Sequence, residues 1–205
     1  MAIVQSGPGR CCSTSRWKVE VAGASASSWR QRYHAKTTQK QRVQEDLSGE
    51  LPGIEIAEVH ASDLDDVEQN VSLRAKGKAA SLARKDGTSW TLPVGAKEHL
   101  VRTWAPLSSR KRDLRIQALS TQENESVLKL PAGAKITTAP HAADGKSPYG
   151  FYKVETETNG STVRVKTTVA LTKARIPATE YPAFRAFCEQ ADRELGQTVT
   201  YTVAK

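Results

Sequence analysis

The sequence predicts an α+β protein that is predominantly antiparallel β, built of sandwich-like units with two amphipathic helices. Alternation of apolar and polar residues, the two-residue period of a strand, recurs from RWKVEV near the start to TVTYTV near the end. An Asn-Gly pair joins two such segments in a way that favours a hairpin. Only two segments show the three- and four-residue spacing of an amphipathic helix.

Length and composition are those of a globular protein. The chain has 205 residues, of which 38% are apolar and 25% are charged. We predict a disordered leader over residues 1–15, an α+β or β-rich domain over 16–118, and a C-terminal β-rich domain with a terminal helix and strand over 119–205. The first residues form no signal peptide, and no apolar stretch approaches the ~18 residues of a membrane span. As written, the chain is expected to stay in the cytoplasm.

The predicted first domain begins with a strand over residues 16–21 and a long helix. Serines near residues 25–28 offer caps for this helix, and the Leu-Pro-Gly at 51–53 ends it. Its apolar face is formed by Trp29, Tyr33, Val43 and Leu47, with a polar middle at Thr37 and Lys40. Strands are predicted over 54–59 and, around a turn at Asp86-Gly87, within 70–94.

The Asn159-Gly160 pair predicts the turn of a hairpin in the second domain. A two-residue Asn-Gly loop favours a type I′ turn, in which both central residues have positive φ. The register that follows places these residues opposite each other: Thr158 and Ser161, Thr156 and Val163, Glu155 and Arg164, Val154 and Val165, Tyr152 and Thr167. Only Lys153 opposite Lys166 brings like charges together in this register.

The last predicted helix follows the hairpin and contains Cys188. Thr179 is expected to cap it and Gly196 to end it. Its apolar stripe comprises Tyr181, Phe184, Cys188, Ala191 and Leu195. The stripe turns the thiol of Cys188 inward, where burial raises the pKa and lowers the reactivity of a thiol. We therefore interpret Cys188 as a structural residue.

Two other constellations could carry chemistry, and the sequence favours neither. A triad of Cys12, His60 and Asp63 or Asp65 places the cysteine before a strand, whereas a nucleophilic cysteine normally opens a helix that lowers its pKa. The acidic segment from Asp63 to Glu68 lacks the glycine and the distal glutamate of a calcium loop. The sequence predicts no catalytic residue, no metal site and no cofactor.

The net charge of +8 invites a nucleic-acid interpretation. The excess of bases is spread along the chain, and its densest run is Arg110, Lys111 and Arg112, followed by Arg115. These four residues are the candidate contact surface. Only Trp104 lies near them in sequence, whereas proteins that bind single-stranded nucleic acid interleave several aromatic residues with their bases. Nucleic-acid or anionic-surface binding is therefore the alternative rather than the preferred function.

Five segments between Ala24 and Asp192 carry a family resemblance. They are ASASSWRQRYHAKTTQKQRVQEDLSGELPGIEI, RTWAPLSSRKRDLRI, LKLPAGAKI, SPYGFYKVE and RIPATEYPAFRAFCEQAD. Together they resemble the region after the catalytic core of large bacterial transglutaminase-like proteins, in which β-rich domains of unknown function flank a papain-like core. The second of those domains resembles residues 119–205.

The resemblance implies a function without catalysis. The core that holds the Cys, His and Asp of the family has no counterpart here, so no catalytic residue can be transferred to this chain. We therefore expect an accessory module that acts by contact with a protein partner or by packing against a transglutaminase-like core. The resemblance also implies that full-length relatives are exported to the periplasm.

Overall fold

A computed structural model describes residues 12–23, 25–49, 53–80, 83–94, 99–117 and 119–203. The described residues form four helices and mainly antiparallel strands, which confirms the α+β class. The elements up to residue 117 are β1 (Cys12–Val21), α1 (Ser25–Tyr33), α2 (Lys36–Ser48), β2 (Ile54–Ala61), β3 (Val71–Ala80), β4 (Arg84–Asp86), β5 (Ser89–Pro93), α3 (Leu100–Trp104) and β6 (Leu114–Arg115). Those that follow are β7 (Ser120–Lys129), β8 (Ala134–Thr138), β9 (Ala143–Ser147), β10 (Gly150–Asn159), β11 (Thr162–Leu171), β12 (Arg175–Ile176), α4 (Tyr181–Leu195) and β13 (Thr198–Val203).

The first strand begins earlier than predicted. Residues 12–15, which were expected to belong to a disordered leader, form the start of β1. Over its whole length β1 is paired with β3 on one side and β7 on the other, so the backbone groups of these four residues find partners in the sheet. The rest of the predicted leader, residues 1–11, lies outside the described residues.

One seven-stranded sheet runs through most of the chain. Its strand order is β2-β3-β1-β7-β11-β10-β9, and all of its pairings are antiparallel. The pairing of β1 with β7 crosses the boundary predicted between residues 118 and 119. A four-stranded sheet, β4-β5-β13-β8, also joins the two predicted domains through β5 and β13. The predicted division of the chain into two domains stays a prediction.

Two hydrophobic clusters lie on one face of the seven-stranded sheet. The first packs α1 and α2 against β1, β2 and β3, with Tyr33, Val43, Ile56 and Val71 among its buried residues. The second packs α4 and strands of the four-stranded sheet against β10 and β11. Val19 of the first cluster and Val169 of the second lie opposite the same residue of β7, Gln122, which places both clusters on the same face.

The long helix predicted up to residue 51 is two helices, and this part of the prediction is wrong. Along a continuous helix, Arg32 and Asp46 would be about 21 Å apart. Instead the guanidinium of Arg32 donates to the carboxylate of Asp46 over 2.9 Å, because the chain turns back at residues 34 and 35. Gln39 donates to the carbonyl oxygen of Tyr33 over 2.8 Å and so satisfies the end of α1.

The hairpin of β10 and β11 forms, but its predicted turn and register are wrong. Asn159 is paired with Thr162, so the two loop residues are Gly160 and Ser161. Of the two, only Gly160 has positive φ, at 57°, which is the pattern of a type II′ turn rather than type I′. The register is shifted by two residues, and an even shift leaves every side chain on its predicted face. Val154 and Val165 accordingly remain on the buried face.

The final helix confirms the predicted apolar stripe. Tyr181, Phe184, Cys188, Ala191 and Leu195 are all buried. The predicted cap is wrong, however, because the N-cap position is Glu180 rather than Thr179 and no side chain caps the helix there. Pro182 in the first turn needs no backbone donor. Among the described residues, no helix is long and apolar enough to cross a membrane.

Candidate interaction surface

The face of the seven-stranded sheet opposite the two hydrophobic clusters carries charged side chains, and we call it the open face. In a strand, successive side chains point to opposite sides of the sheet. In β1 this alternation sends Trp17, Val19 and Val21 toward the clusters and places Arg16 and Lys18 on the open face. The same alternation applies to the neighbouring strands. The charged residues of the open face are exposed or half-buried.

The strand registers align these charged residues in two rows across the sheet. The first row, from β2 to β9, is His60, Arg74, Lys18, Glu123, Thr168, Lys153 and Asp144. The second row, from β2 to β10, is Glu58, Lys76, Arg16, Glu125, Lys166 and Glu155. Each row therefore combines residues that are far apart in the sequence.

Ion pairs connect several members of the rows. Glu125 accepts from Arg16 over 3.0 Å and from Arg164 over 2.8 Å. Lys18 lies 3.9 Å from the carboxylate of Glu123 in its row and 2.9 Å from that of Glu20, which lies outside the rows. Lys153 donates to Glu155 over 2.7 Å, and this hydrogen bond lowers the pKa of the Glu155 carboxyl. These contacts are exposed, so each contributes about 0–1 kcal/mol and the arrangement matters more for recognition than for folding.

A groove of about 550 Å³ crosses the open face over β2, β3, β1, β7 and β11. Its charged lining consists of five bases and three carboxylates, an excess of two positive charges: Arg16, Lys18, Arg74, Lys76 and Lys166 against Glu58, Glu123 and Glu125. Four of the bases, Arg16, Lys18, Arg74 and Lys76, meet where β1 pairs with β3, and we call them the basic quartet. The groove is therefore best suited to an anionic ligand.

The contact residues predicted from sequence lie elsewhere. The Arg110 guanidinium lies 5.6 Å from the centre of the Tyr181 ring, a packing role for part of its side chain. Lys111, Arg112 and Arg115 are exposed. None of the four lines the groove. The four predicted residues therefore form only a short stretch of surface outside the groove.

Asp113 interrupts that basic segment and fixes its geometry. Its carboxylate accepts hydrogen bonds from the backbone N–H of Ala178 over 3.1 Å and from Arg175 over 2.8 Å. These two hydrogen bonds lower the pKa of the Asp113 carboxyl. Asp113 therefore anchors the end of the segment to the loop that leads into α4.

Cys188 lies in the hydrophobic core, as the sequence predicts. Its side chain is fully buried between residues of the second cluster. Burial raises the pKa of the thiol to about 12. At neutral pH the thiolate is therefore scarce, and the residue packs as a small apolar side chain.

The candidate triad of Cys12, His60 and Asp63 or Asp65 does not form in the described part of the chain. Asp65 lies 2.9 Å from the imidazole of His34 rather than from His60, and Asp63 accepts the backbone N–H of Asp65 over 3.0 Å. Nothing of the Cys12 side chain is described. Within the described ranges, no group of three or more His, Cys, Asp or Glu side chains is placed to hold a metal ion.

Sequence reasoning did not single out the bases of the groove, although one signal for them was visible. Lys18, Arg74 and Lys76 occupy polar positions of alternating strands, which marks them as residues of an exposed sheet face. Their convergence depends on pairing between β1 and β3, which are separated by about fifty residues of sequence. A contiguous basic run such as residues 110–115 can be recognised without knowledge of strand pairing, so the sequence predicts that run as the contact surface instead.

The second half of the chain matches a known protein family. Residues 90–201, which are 112 of the 205 residues, match the model of a domain of unknown function with a solved structure, DUF3858. The chain belongs to the DUF3858 family. The match runs from within β5 to within β13 and so contains the second hydrophobic cluster.

One solved structure resembles the chain at low identity. It is the crystal structure of a "putative protease" from Parabacteroides distasonis, with 16% sequence identity and a TM-score of 0.48. The similarity covers 58% of this chain and 24% of that one, so the chain spans about a quarter of the length of that protein. No curated protein matches the chain.

The groove extends beyond the DUF3858 range. Lys166, Glu123 and Glu125 lie within residues 90–201, whereas the whole basic quartet comes from β1 and β3, which precede them. The charged groove therefore forms where the DUF3858 domain continues its sheet into the preceding strands.

Proposed function

We propose that this chain is a non-catalytic β-rich accessory module that acts by protein contact through its open face. The observation that carries the proposal is the groove, which crosses five strands and combines residues from both sides of the DUF3858 boundary. Exposed charged rows of this kind give specificity and orientation in protein association. A ligand that occupied the groove would touch both parts of the sheet at once.

The proposed partner is a protein domain, either a transglutaminase-like core in the same polypeptide or a separate chain. The segments that resemble the region after such a core support the first arrangement. The open face supports either one, because a large sheet surface with both signs of charge suits a polar protein interface.

The burial of the Cys188 thiol supports a module that has no catalytic activity of its own. Cys188 is buried and its pKa is raised to about 12, so it has neither the access nor the thiolate that a nucleophile needs. We expect the purified chain to hydrolyse no amide and to transfer no acyl group. Activity that disappears in a Cys12→Ala variant would overturn this part of the proposal.

The size of the native product separates the two arrangements. An antibody raised against residues 120–205 would detect a band near 22 kDa if the chain is a separate protein, the mass of the sequence itself. A much larger band is expected if the chain continues a transglutaminase-like core. In the first case, cross-linking in cells should yield a complex with a second protein; a chain that cross-links to no protein would contradict the contact function.

Nucleic-acid or anionic-surface binding by Arg110, Lys111, Arg112 and Arg115 stays a prediction. Its signature would be an affinity that falls steeply with salt, because contacts to phosphate release counterions. Reversal of the charges at Lys111 and Arg112 would abolish such binding.

A further inference from the structure

The basic quartet is an unfavourable arrangement for a sheet that serves folding alone. Arg16 lies directly opposite Lys76, and Lys18 lies directly opposite Arg74. The Cβ atoms of such pairs are about 5 Å apart, where like charges destabilise a sheet. The β10–β11 pair shows the favourable alternative, with Glu157 opposite Arg164. A square of four bases therefore creates a concentrated positive potential on the open face, on the two strands that follow the edge strand β2.

The surrounding carboxylates neutralise this potential only in part. Arg16 pairs with Glu125 over 3.0 Å, and Lys76 lies 3.6 Å from Glu58. Lys18 lies 2.9 Å from Glu20 and 3.9 Å from Glu123. The carboxylate of Glu125 is shared, because it also accepts from Arg164. Arg74 is exposed and has no ion-pair partner in the part of the chain that the structure describes. An exposed guanidinium without an ion-pair partner can bind an external carboxylate through two parallel hydrogen bonds.

We propose that the basic quartet binds an extended, acidic segment of a protein partner, with carboxylates at alternate positions. Two residues along a strand correspond to about 6.6–6.8 Å, which is the spacing of Arg16 from Lys18 and of Arg74 from Lys76. Alternate side chains of an extended peptide have the same spacing on one side. Two carboxylates of the segment can therefore meet two bases of one strand in register. This inference rests on the proposed contact function and specifies its partner.

The carboxylates around the quartet favour a protein segment over nucleic acid. Glu58, Glu123 and Glu125 line the same groove and would repel a continuous row of phosphates. A peptide can place carboxylates beside the bases and uncharged side chains beside these acids, whereas a nucleic acid carries a negative charge at every nucleotide. Trp17, the one Trp, Tyr or Phe residue in the groove lining, packs its side chain with the first hydrophobic cluster and offers no stacking surface on the open face.

Fluorescence anisotropy of the full chain with a labelled peptide of five Glu-Thr repeats tests this proposal. We expect saturable binding at low salt that weakens as salt is added, and no binding of the matching Gln-Thr peptide. Arg74→Glu should weaken binding by about tenfold or more, and Arg74→Gln by less but in the same direction. Lys146→Glu is the matched control, because Lys146 is an exposed base of β9, four strands from β1 in the same sheet.

The controls decide between the possible outcomes. Absence of Glu-Thr binding by the folded chain, or equal losses for Arg74→Glu and Lys146→Glu, overturns the proposal. Tighter binding of a labelled decathymidylate that Arg74→Glu abolishes would also overturn it, in favour of nucleic acid. None of these results would show catalysis or change the size and cross-linking of the native product, so a failure of this inference can be distinguished from a failure of the proposed function.

Discussion

At the scale of single residues, Asp192 connects two helices that lie far apart in the sequence. Its carboxylate, on α4, accepts the backbone N–H groups of Leu100 over 2.7 Å and Val101 over 2.9 Å. These are the first two residues of α3, a helix of only five residues whose own N-cap residue, His99, provides no side-chain hydrogen bond. A short helix has little stability of its own. Asp192 therefore substitutes for the missing local cap.

Replacement of Asp192 should destabilise the protein, because α3 would lose the side chain that caps its N-terminus. Asp192→Ala leaves two backbone donors without their acceptor, and we expect a loss of about 1–3 kcal/mol in the free energy of unfolding. Asp192→Asn keeps one acceptor oxygen and should cost less. Glu189→Ala, which removes an exposed ion pair on the same helix, is the control and should change stability by no more than ~0.5 kcal/mol. Urea unfolding followed by circular dichroism measures all three; equal losses for Asp192→Ala and Glu189→Ala would refute the tertiary cap.

The Cys188 thiol provides a second prediction at this scale. In a variant with Cys11→Ser and Cys12→Ser, Cys188 is the remaining cysteine of the chain. Because its pKa is raised to about 12, hardly any thiolate is present at pH 8, and burial blocks access as well. Reaction with a disulfide reagent should be slow in the folded protein and should accelerate with urea in step with unfolding. Rapid labelling without urea would mean that the helix exposes the thiol.

At the scale of elements, the turn between β10 and β11 distinguishes the observed register from the predicted one. A type II′ turn at Gly160 and Ser161 requires positive φ at Gly160 only, whereas a type I′ turn would require it at Asn159 as well. Gly160→Ala should therefore cost about 1–2 kcal/mol, since no neighbouring atom would meet the added methyl group and the cost is that of the backbone conformation. Asn159→Ala should change stability by less than ~0.5 kcal/mol. Comparable losses in thermal unfolding for the two variants would support the type I′ turn instead.

The sequence of this hairpin contained the information to correct its register. The predicted pairing brought Lys153 opposite Lys166, and that like-charge pair was its only conflict. In the structure Lys153 lies opposite Thr168, and Lys166 lies opposite Glu155. Strand identity and buried face were predictable from alternation, whereas the turn was not, because Asn-Gly and Gly-Ser both suit two-residue loops.

The helical elements show the same limit of local patterns. The stripe of α4 was predictable because each of its residues packs on one side of a regular helix. The break between α1 and α2, at residues 34 and 35, was not, although the polar residues Thr37 and Lys40 interrupt the apolar face shortly after it. The turn brings Arg32 and Asp46 together, and no local pattern encodes this tertiary contact.

At the scale of the whole molecule, the central sheet determines both the candidate site and the cohesion of the fold. The groove exists because β1 lies between β3 and β7, strands about fifty and one hundred residues away in sequence. Single-sequence patterns predict which residues of each strand are exposed but not which strands become neighbours. The polar positions of β1 and β3 were therefore predictable, while the square that they form was not.

The continuous sheet also predicts how the molecule unfolds. The first hydrophobic cluster packs on β1, β2 and β3 and the second on β10 and β11, and backbone hydrogen bonds join the two halves along β1 and β7. Loss of either cluster would leave β1 or β7 with an unpaired edge and one uncovered face. Each half therefore depends on the other, and we expect one cooperative transition.

Two core substitutions test this dependence, one in each cluster. Ile56→Ala and Leu195→Ala each remove a side chain that is at most 2% exposed and should cost about 2–5 kcal/mol. If the molecule unfolds as a unit, each variant shifts a single calorimetric transition that involves the whole chain, and the double variant shifts it by nearly the sum, because the sites share no partner. Two transitions, each moved by one substitution only, would instead mean that the clusters belong to separate folding units. That outcome would support the division that the sequence places between residues 118 and 119, which the β1–β7 ladder crosses.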